Sequence, residues 1–285
     1  MNKGQLRKWI FSLMLIGQAI VAQGTFEFNK KFINCEEKWV VLPMSKDSSY
    51  VYGFVYIDTQ AGLTIDIRGS FKMDAQDKLV SIKENTTSRI VHRLEPNTMQ
   101  VAIFPEEKFA ALQITKTPEW LAVYKTDENT VQRFFRKGFV YNAWNECALG
   151  LSFLEKAQKL NPAYKGLVTE LAFSYNCAGR YSDAIKILEQ SLQENPADAY
   201  THKELIYAQT KSGQMDKAIV SCQRSLKVCK DQTYAAENSF QVLHAYFTNK
   251  DHSNFDKWLA SNHELFNKDK RFLPIIEQMK NQVKN

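Results

Sequence analysis

The sequence predicts an α+β multidomain protein, with a small N-terminal β domain followed by an α-helical solenoid of repeated hairpins. Three observations carry this prediction. Runs rich in Val, Ile, Tyr and Phe recur between positions 39 and 103. Beyond position 130 the apolar residues, glycines and prolines return together with the spacing that separates Pro162 from Pro196, a period of 34 residues. The opening residues fit neither pattern, because a basic stretch there leads into a short apolar run.

That opening segment, 1–24, is predicted to be a secretory signal peptide. Lys3, Arg7 and Lys8 precede an apolar run from Trp9 to Ala22, and Ala22-Gln23-Gly24 satisfies the small-x-small cleavage rule. A membrane anchor is the alternative, but the run is shorter than the about 20 residues a bilayer needs. No cysteine stands at its end, which argues against a bacterial lipoprotein. The mature chain is therefore expected to be exported, to the periplasm or outside the cell, with no membrane span after cleavage. Of 37 basic residues the leader holds three, so against 31 acidic ones the mature charge falls from +6 to +3. So weak an excess, without a basic run interleaved with aromatics, gives no case for nucleic acid as a partner.

Residues 25–104 are predicted to form the β domain. Trp39–Leu42, Tyr50–Ile57, Leu63–Ile67, Lys78–Ile82, Ile90–Leu94 and Met99–Ile103 read as strands. Apolar residues around Gly53 do not alternate, which implies a bulge or burial on both faces. Ala61-Gly62 and the Asp74–Asp77 stretch mark turns and suggest antiparallel hairpins. A helical connector, 105–130, follows. Pro105-Glu106-Glu107 opens a short helix through Leu112, and Thr117-Pro118-Glu119 begins a capped second one. Few long-range contacts are expected to cross this connector, which would leave the domains separable.

The solenoid is predicted over 131–266, in units 131–164, 165–198 and 199–232 with a degenerate unit at 233–266. A capping helix at 267–285 starts at Leu273-Pro274. Small residues such as Gly138, Ala172, Ala184 and Ala218 stand where antiparallel helices must approach closely. Gly179 and Gly213 suit the turns between helices, where positive φ is needed. Pro162 and Pro196, each after an asparagine, end the second helices because proline has no amide donor and clashes with the preceding turn. Loss of punctuation after position 233 is what a terminal unit facing water requires.

Val168, Leu171, Ala172 and Tyr175, followed by Ala184, Leu188 and Pro196, stand at the spacings of a tetratricopeptide repeat. Phe134, Gly138, Tyr141, Gly150, Leu154 and Pro162 resemble the preceding copy, and Leu205, Gly213, Ala218 and Leu226 the following one. The second half of the chain thus resembles that family, in a secreted bacterial form with an added β domain. The resemblance implies that the first helix of each hairpin lines a groove holding a protein or peptide partner. It places Phe139, Phe173 and Tyr207 in one column, Asn142, Asn176 and Thr210 in a second, and Phe135, Thr169 and Lys203 in a third. Aromatic rings supply apolar contact, and asparagine can pair with a ligand backbone. The alternative is that the rings pack between helices. The family's clamp for a terminal carboxylate is not expected, because its places hold Phe135, Phe139, Glu170, Tyr200 and Glu204.

No nucleophile elbow, phosphate-binding loop, zinc-protease motif or calcium loop occurs, so no catalytic residue, metal or cofactor is implied and the chain reads as a non-enzyme. His92, His202, His244, His252 and His263 are scattered, and the pairs Glu36-Glu37 and Glu106-Glu107 define no acid and base. Cys35, Cys147, Cys177, Cys222 and Cys229 form no disulfide framework or zinc set. Cys147 and Cys177 are near enough to pair in an oxidising compartment, but buried free thiols are the favoured expectation. Asn85-Thr86-Thr87 is a glycosylation sequon, read as an exposed loop. The expected function is an exported protein-binding scaffold. The rival is an envelope enzyme or carbohydrate-binding module using Trp39, Tyr50, Tyr52 and Tyr56 of the β domain, and a buried aromatic core there would count against it.

Overall fold

A computed structural model describes residues 26–82 and 90–284. The expected signal peptide and the Asn85 sequon lie outside the described residues. Among the described residues seven strands, β1 Lys30–Lys31, β2 Lys38–Val41, β3 Tyr50–Asp58, β4 Gly62–Met73, β5 Leu79–Ile82, β6 Ile90–Arg93 and β7 Gln100–Ile103, pair antiparallel in the order β1-β7-β2-β3-β4-β5, with β6 also on β4. The 12 residues of β4 hold β3 along one edge, and on the other edge β6 pairs at 64–67 and β5 at 70–73. Both features expected at Gly53 occur together. The β3–β4 register shifts between Tyr52 and Gly53, and six consecutive residues of β3 are buried. A Cβ at Gly53 would come within 2.8 Å of the Asp66 carbonyl, so only glycine fits this close strand approach.

Alternation along the strands gives the sheet two apolar faces. One gathers Phe26, Trp39, Tyr52, Phe54, Tyr56, Phe71 and Phe104 under the connector. The connector forms a 3-10 turn at Glu106–Lys108 running into α1, Phe109–Leu112, and a second 3-10 stretch at Glu119–Lys125 that lacks the expected side-chain cap. Leu112 and Leu121 plug the aromatic face, and the Trp39 indole donates to the Thr115 carbonyl at 2.8 Å. The other face brings Val40, Val55, Ile57, Leu63, Ile65 and Val101 against a 3-10 turn at Phe32–Cys35 and against Val140, Tyr141 and Trp144 of the first hairpin.

This shared core corrects the expectation of few contacts between sheet and solenoid. Helix α2, Val131–Ala143, lies on the sheet. The Tyr141 hydroxyl donates to Glu36 at 2.5 Å, Lys137 pairs with Glu36 at 3.0 Å, and Lys31 reaches Glu146 at 2.8 Å. An apolar stripe on a helix looks the same in sequence whether its neighbour is another hairpin or a sheet.

The solenoid continues as α3 Cys147–Leu160, α4 Leu167–Cys177, α5 Tyr181–Glu194, α6 Ala199–Lys211, α7 Met215–Val228, α8 Ala235–Thr248, α9 His252–Ser261, α10 His263–Lys268 and α11 Leu273–Lys284. Gly179 and Gly213 take φ of +72° and +78° in the turns inside their hairpins, as expected. α3 and α5 stop immediately before Asn161-Pro162 and Asn195-Pro196. In the degenerate unit expected at 233–266 the second half is divided at Asn262, whose side chain donates to the Trp258 carbonyl at 2.9 Å. Cys147 and Cys177 form a disulfide with Cα atoms 6.1 Å apart, which corrects the preference for free thiols at this pair. Cys35, Cys222 and Cys229 are free and buried, and burial pushes the Cys35 thiol up to about 11 and the Cys222 thiol up to about 12.

Candidate functional site

The helices α2, α4, α6 and α8 share one face of the solenoid, and its floor is a polar ladder with the period of the repeat. Asn142, 2% exposed, donates through Nδ2 to the Glu170 carbonyl and to its Oε2, both at 3.0 Å. One repeat later, Asn176 donates in the same way to the Glu204 carbonyl at 3.1 Å and to its Oε2 at 2.9 Å. Each rung ties the end of one first helix to the N-terminal half of the next. Burial lifts the Glu170 carboxyl to about 6, against the hydrogen bond from Asn142, which favours its charged form. Both asparagines therefore make structural bonds between successive hairpins, beside the ligand pairing expected of them. The recurrence of Glu170 and Glu204 one period apart was a visible signal for this ladder.

Above the floor lies an open depression of about 260 Å³, lined by Phe173, Asn176, Lys203, Glu204, Tyr207, Glu237 and Gln241, with Asn145 and Cys177 at one end. Lys203 stands between Glu204 at 3.2 Å and Glu237 at 3.7 Å, with its ammonium over the rings of Tyr200 and Tyr234. A second depression of about 380 Å³ shares Tyr207 and Gln241 with the first and adds Thr210, Lys211, Phe240 and His244. Phe173, Asn176, Lys203, Tyr207 and Thr210 are thus brought to one continuous surface.

The remaining expected residues fall elsewhere. Phe139 is 39% exposed with the Arg136 guanidinium over its ring, and lines neither depression. Phe135 is half-buried on Tyr164 at 5.1 Å, against the core between the first and second hairpins, and lines neither depression, which corrects its place in the groove. Its ring fills the space beside Gly166, where the unit boundary leaves no side chain. Thr169 faces Thr201 across the α4–α6 contact at 3.4 Å. Asn142 is closed in by Ser174, whose hydroxyl donates to its Oδ1 at 2.7 Å. Glu237, Gln241, Phe240 and His244 were missed, because the degenerate fourth unit gave no motif by which to place them.

The aromatic residues of the rival reading form core instead of a binding platform. Trp39, Tyr52 and Tyr56 are 4%, 6% and 2% exposed, and Tyr50 stacks on Phe71 at 5.4 Å. Among the described residues, no three His, Cys, Asp or Glu side chains gather as a metal site would require.

Residues 178–233 match the model of the tetratricopeptide repeat family. The chain carries tetratricopeptide repeats, joined at their N-terminal end to an antiparallel sheet. No curated protein matches the sequence. Among solved structures, MamA 41-end from Desulfovibrio magneticus RS-1 is similar at 18% identity with a TM-score of 0.44, over 58% of this chain and 87% of that one. MamA MSR-1 C2 is similar at 20% identity with a TM-score of 0.44, over 57% and 92%. Likeness this distant says nothing of ligands. Among the described residues, no helix is long and apolar enough to cross a membrane.

Proposed function

We propose that this protein is an exported, non-enzymatic scaffold that binds an extended segment of a partner protein along the shared face of α4, α6 and α8. The observation that carries the reading is the pair of depressions joined through Tyr207 and Gln241 and lined by the first helices of successive hairpins. Rings at Phe173, Tyr207 and Phe240 offer contact area at small entropic loss, and Lys203, Glu204, Thr210 and His244 offer polar pairing beside them. Phe139 extends the apolar surface towards the sheet.

The capture test uses the full chain and its Tyr207→Ala variant on envelope extracts after a high-salt wash. A specific partner should be retained by the parent and lost from the variant, since truncating a central aromatic anchor commonly costs about 2 kcal/mol or more. Equal retention by both would remove the groove as the binding surface.

Export is supported by the basic-apolar leader and by the Cys147–Cys177 bond, since structural disulfides persist in oxidising compartments. N-terminal sequencing of the protein recovered from the envelope should find a chain starting at Gln23 or close to Thr25. Recovery of the chain with Met1 from the cytosol would overturn this part of the reading.

A further inference from the structure

The polar ladder stops after two rungs. Asn142–Glu170 joins α2 to α4 and Asn176–Glu204 joins α4 to α6, but one period further the same places hold Thr210 and Asn238. Both side chains turn to other partners. The Thr210 hydroxyl donates to the Tyr207 carbonyl of its own helix at 2.8 Å, and Asn238 Nδ2 donates to the Ser225 hydroxyl oxygen near the end of α7 at 3.2 Å. Lys203 does reach from α6 to Glu237 of α8, but at 3.7 Å and with the Glu237 side chain 31% exposed, a geometry that contributes little in water.

The junction loses its apolar anchor and its stiff connector as well. Leu171 and Leu205, both buried, have Ser239 as their equivalent on α8, where the hydroxyl is buried without a hydrogen-bond partner. Lys230 stands where Pro162 and Pro196 fix the two earlier connections. Open space borders the junction between both sets of helices. The second depression, about 380 Å³, lies between Tyr207 and Thr210 of α6 and Phe240 and His244 of α8. Another of about 330 Å³ separates Ile219 and Leu226 of α7 from Asn254 and Trp258 of α9. Beyond the junction, α8 to α11 close a core of their own around Leu243, Phe255, Phe266 and Ile276.

We propose that this junction is a hinge, about which α8 to α11 rock as one body so that the second depression narrows as the gap between α7 and α9 widens. The pivot is the Asn238–Ser225 bond beside the connection between α7 and α8. A hinge needs a few residues at the ends of elements that absorb the rotation, with a rigid body on each side. The rungs, which fix the angle between first helices, supply that rigidity up to α6, and the separate core supplies it from α8. A buried hydroxyl without a partner also costs free energy in the position shown, which lessens the advantage of that position over its neighbours. The motion needs no bound partner, so it stands or falls apart from what the groove holds.

The test measures distance distributions by pulsed electron paramagnetic resonance in the full chain, with nitroxides on introduced ketone side chains so that the native cysteines stay untouched. Three pairs of exposed sites are labelled: Lys186 with Gln278 across the junction, Gln158 with Lys186 before it, and Ser253 with Gln278 beyond it. The crossing pair should give a broad distribution and the other two narrow ones. Thr210→Asn with Asn238→Glu rebuilds the rung and should narrow the crossing pair to the width of the other two. Ser239→Leu, which restores the apolar anchor, should narrow it in the same sense and serves if the double variant fails to fold. Equal widths for the three pairs in the parent would overturn the hinge. So would a Ser253–Gln278 distribution as broad as the crossing one, because the terminal unit would then be fraying and not rocking. A folded rung variant that keeps the parent's crossing width would overturn it too, since the angle would not depend on the missing rung.

Discussion

Phe139 and Tyr175 show how two aromatic residues of neighbouring repeats divide between surface and core. Phe139 is 39% exposed, whereas Tyr175 packs against the cores of two successive hairpins with the Arg180 guanidinium 4.5 Å from its ring centroid. Tyr175→Ala is expected to lose about 3 kcal/mol, the lower end for truncating a core aromatic, and Phe139→Ala about 0.5 kcal/mol. Paired thermal melts check this, and equal losses would make Phe139 core. Glu170 gives a second prediction, in pH. Its folded carboxyl is raised from 4.5 to about 6, so between those values the folded chain holds a proton that the unfolded chain releases. The Glu170 contribution is therefore most favourable below the unfolded value and declines as pH rises through the folded one, by up to about 2 kcal/mol. Glu170→Gln keeps the acceptor for Asn142 without the buried charge. Its denaturant midpoint should exceed the parent's at pH 7 and approach it near pH 4.5; a constant difference would show that the carboxyl is not raised.

At the scale of the element, the hairpins are joined by three different devices. Small residues let helices touch, as at Gly138, where an added Cβ would overlap the Leu154 side chain. The Asn–Glu rungs align successive first helices. The Cys147–Cys177 bond then ties the start of α3 to the end of α4 across a separation of 30 residues. Closing a loop of that length restricts the unfolded chain by about 3 to 4 kcal/mol in the chain-entropy account. Dithiothreitol, or Cys147→Ser with Cys177→Ser, is expected to lower the melting temperature by several degrees and to increase amide exchange in α3 and α4 before α8 and α9. Unchanged melting on complete reduction would mean that the first two hairpins are held by packing alone. The helix boundaries of these hairpins were legible in advance, because glycine at positive φ and proline after asparagine are local signals. The break at Asn262 was not, since it follows from a side-chain bond inside the degenerate unit.

For the whole molecule, the sheet acts as the N-terminal cap of the solenoid. Repeat arrays need such an end, because the first hairpin otherwise presents an apolar face to water. Here Val140, Tyr141 and Trp144 meet the sheet, and each is 6% exposed or less. A fragment beginning at Pro105 is expected to melt below the full chain and to self-associate, since burial of a large apolar side chain is worth about 1.5 to 3 kcal/mol. Calorimetry with sedimentation of the fragment checks this. A monomeric fragment melting with the full chain would show that the solenoid needs no cap.

The repeat, its phase and the strand runs were legible along the chain, because periodicity and turn chemistry are properties of neighbouring residues. The period also places Phe173, Tyr207 and Thr210 on the first helices of their hairpins. Packing between hairpins settles which buried polar groups are paired: Asn142 and Asn176 hold equivalent places in the repeat, yet Oδ1 of Asn142 has the Ser174 hydroxyl while that of Asn176 lies beside no such donor. Only the tertiary structure decided that Phe135 lies outside the groove, that Cys147 meets Cys177, and that the two halves share a core. These outcomes depend on contacts between segments far apart in the chain. A periodic pattern specifies that a face is buried; the partner that buries it is set by how the elements pack.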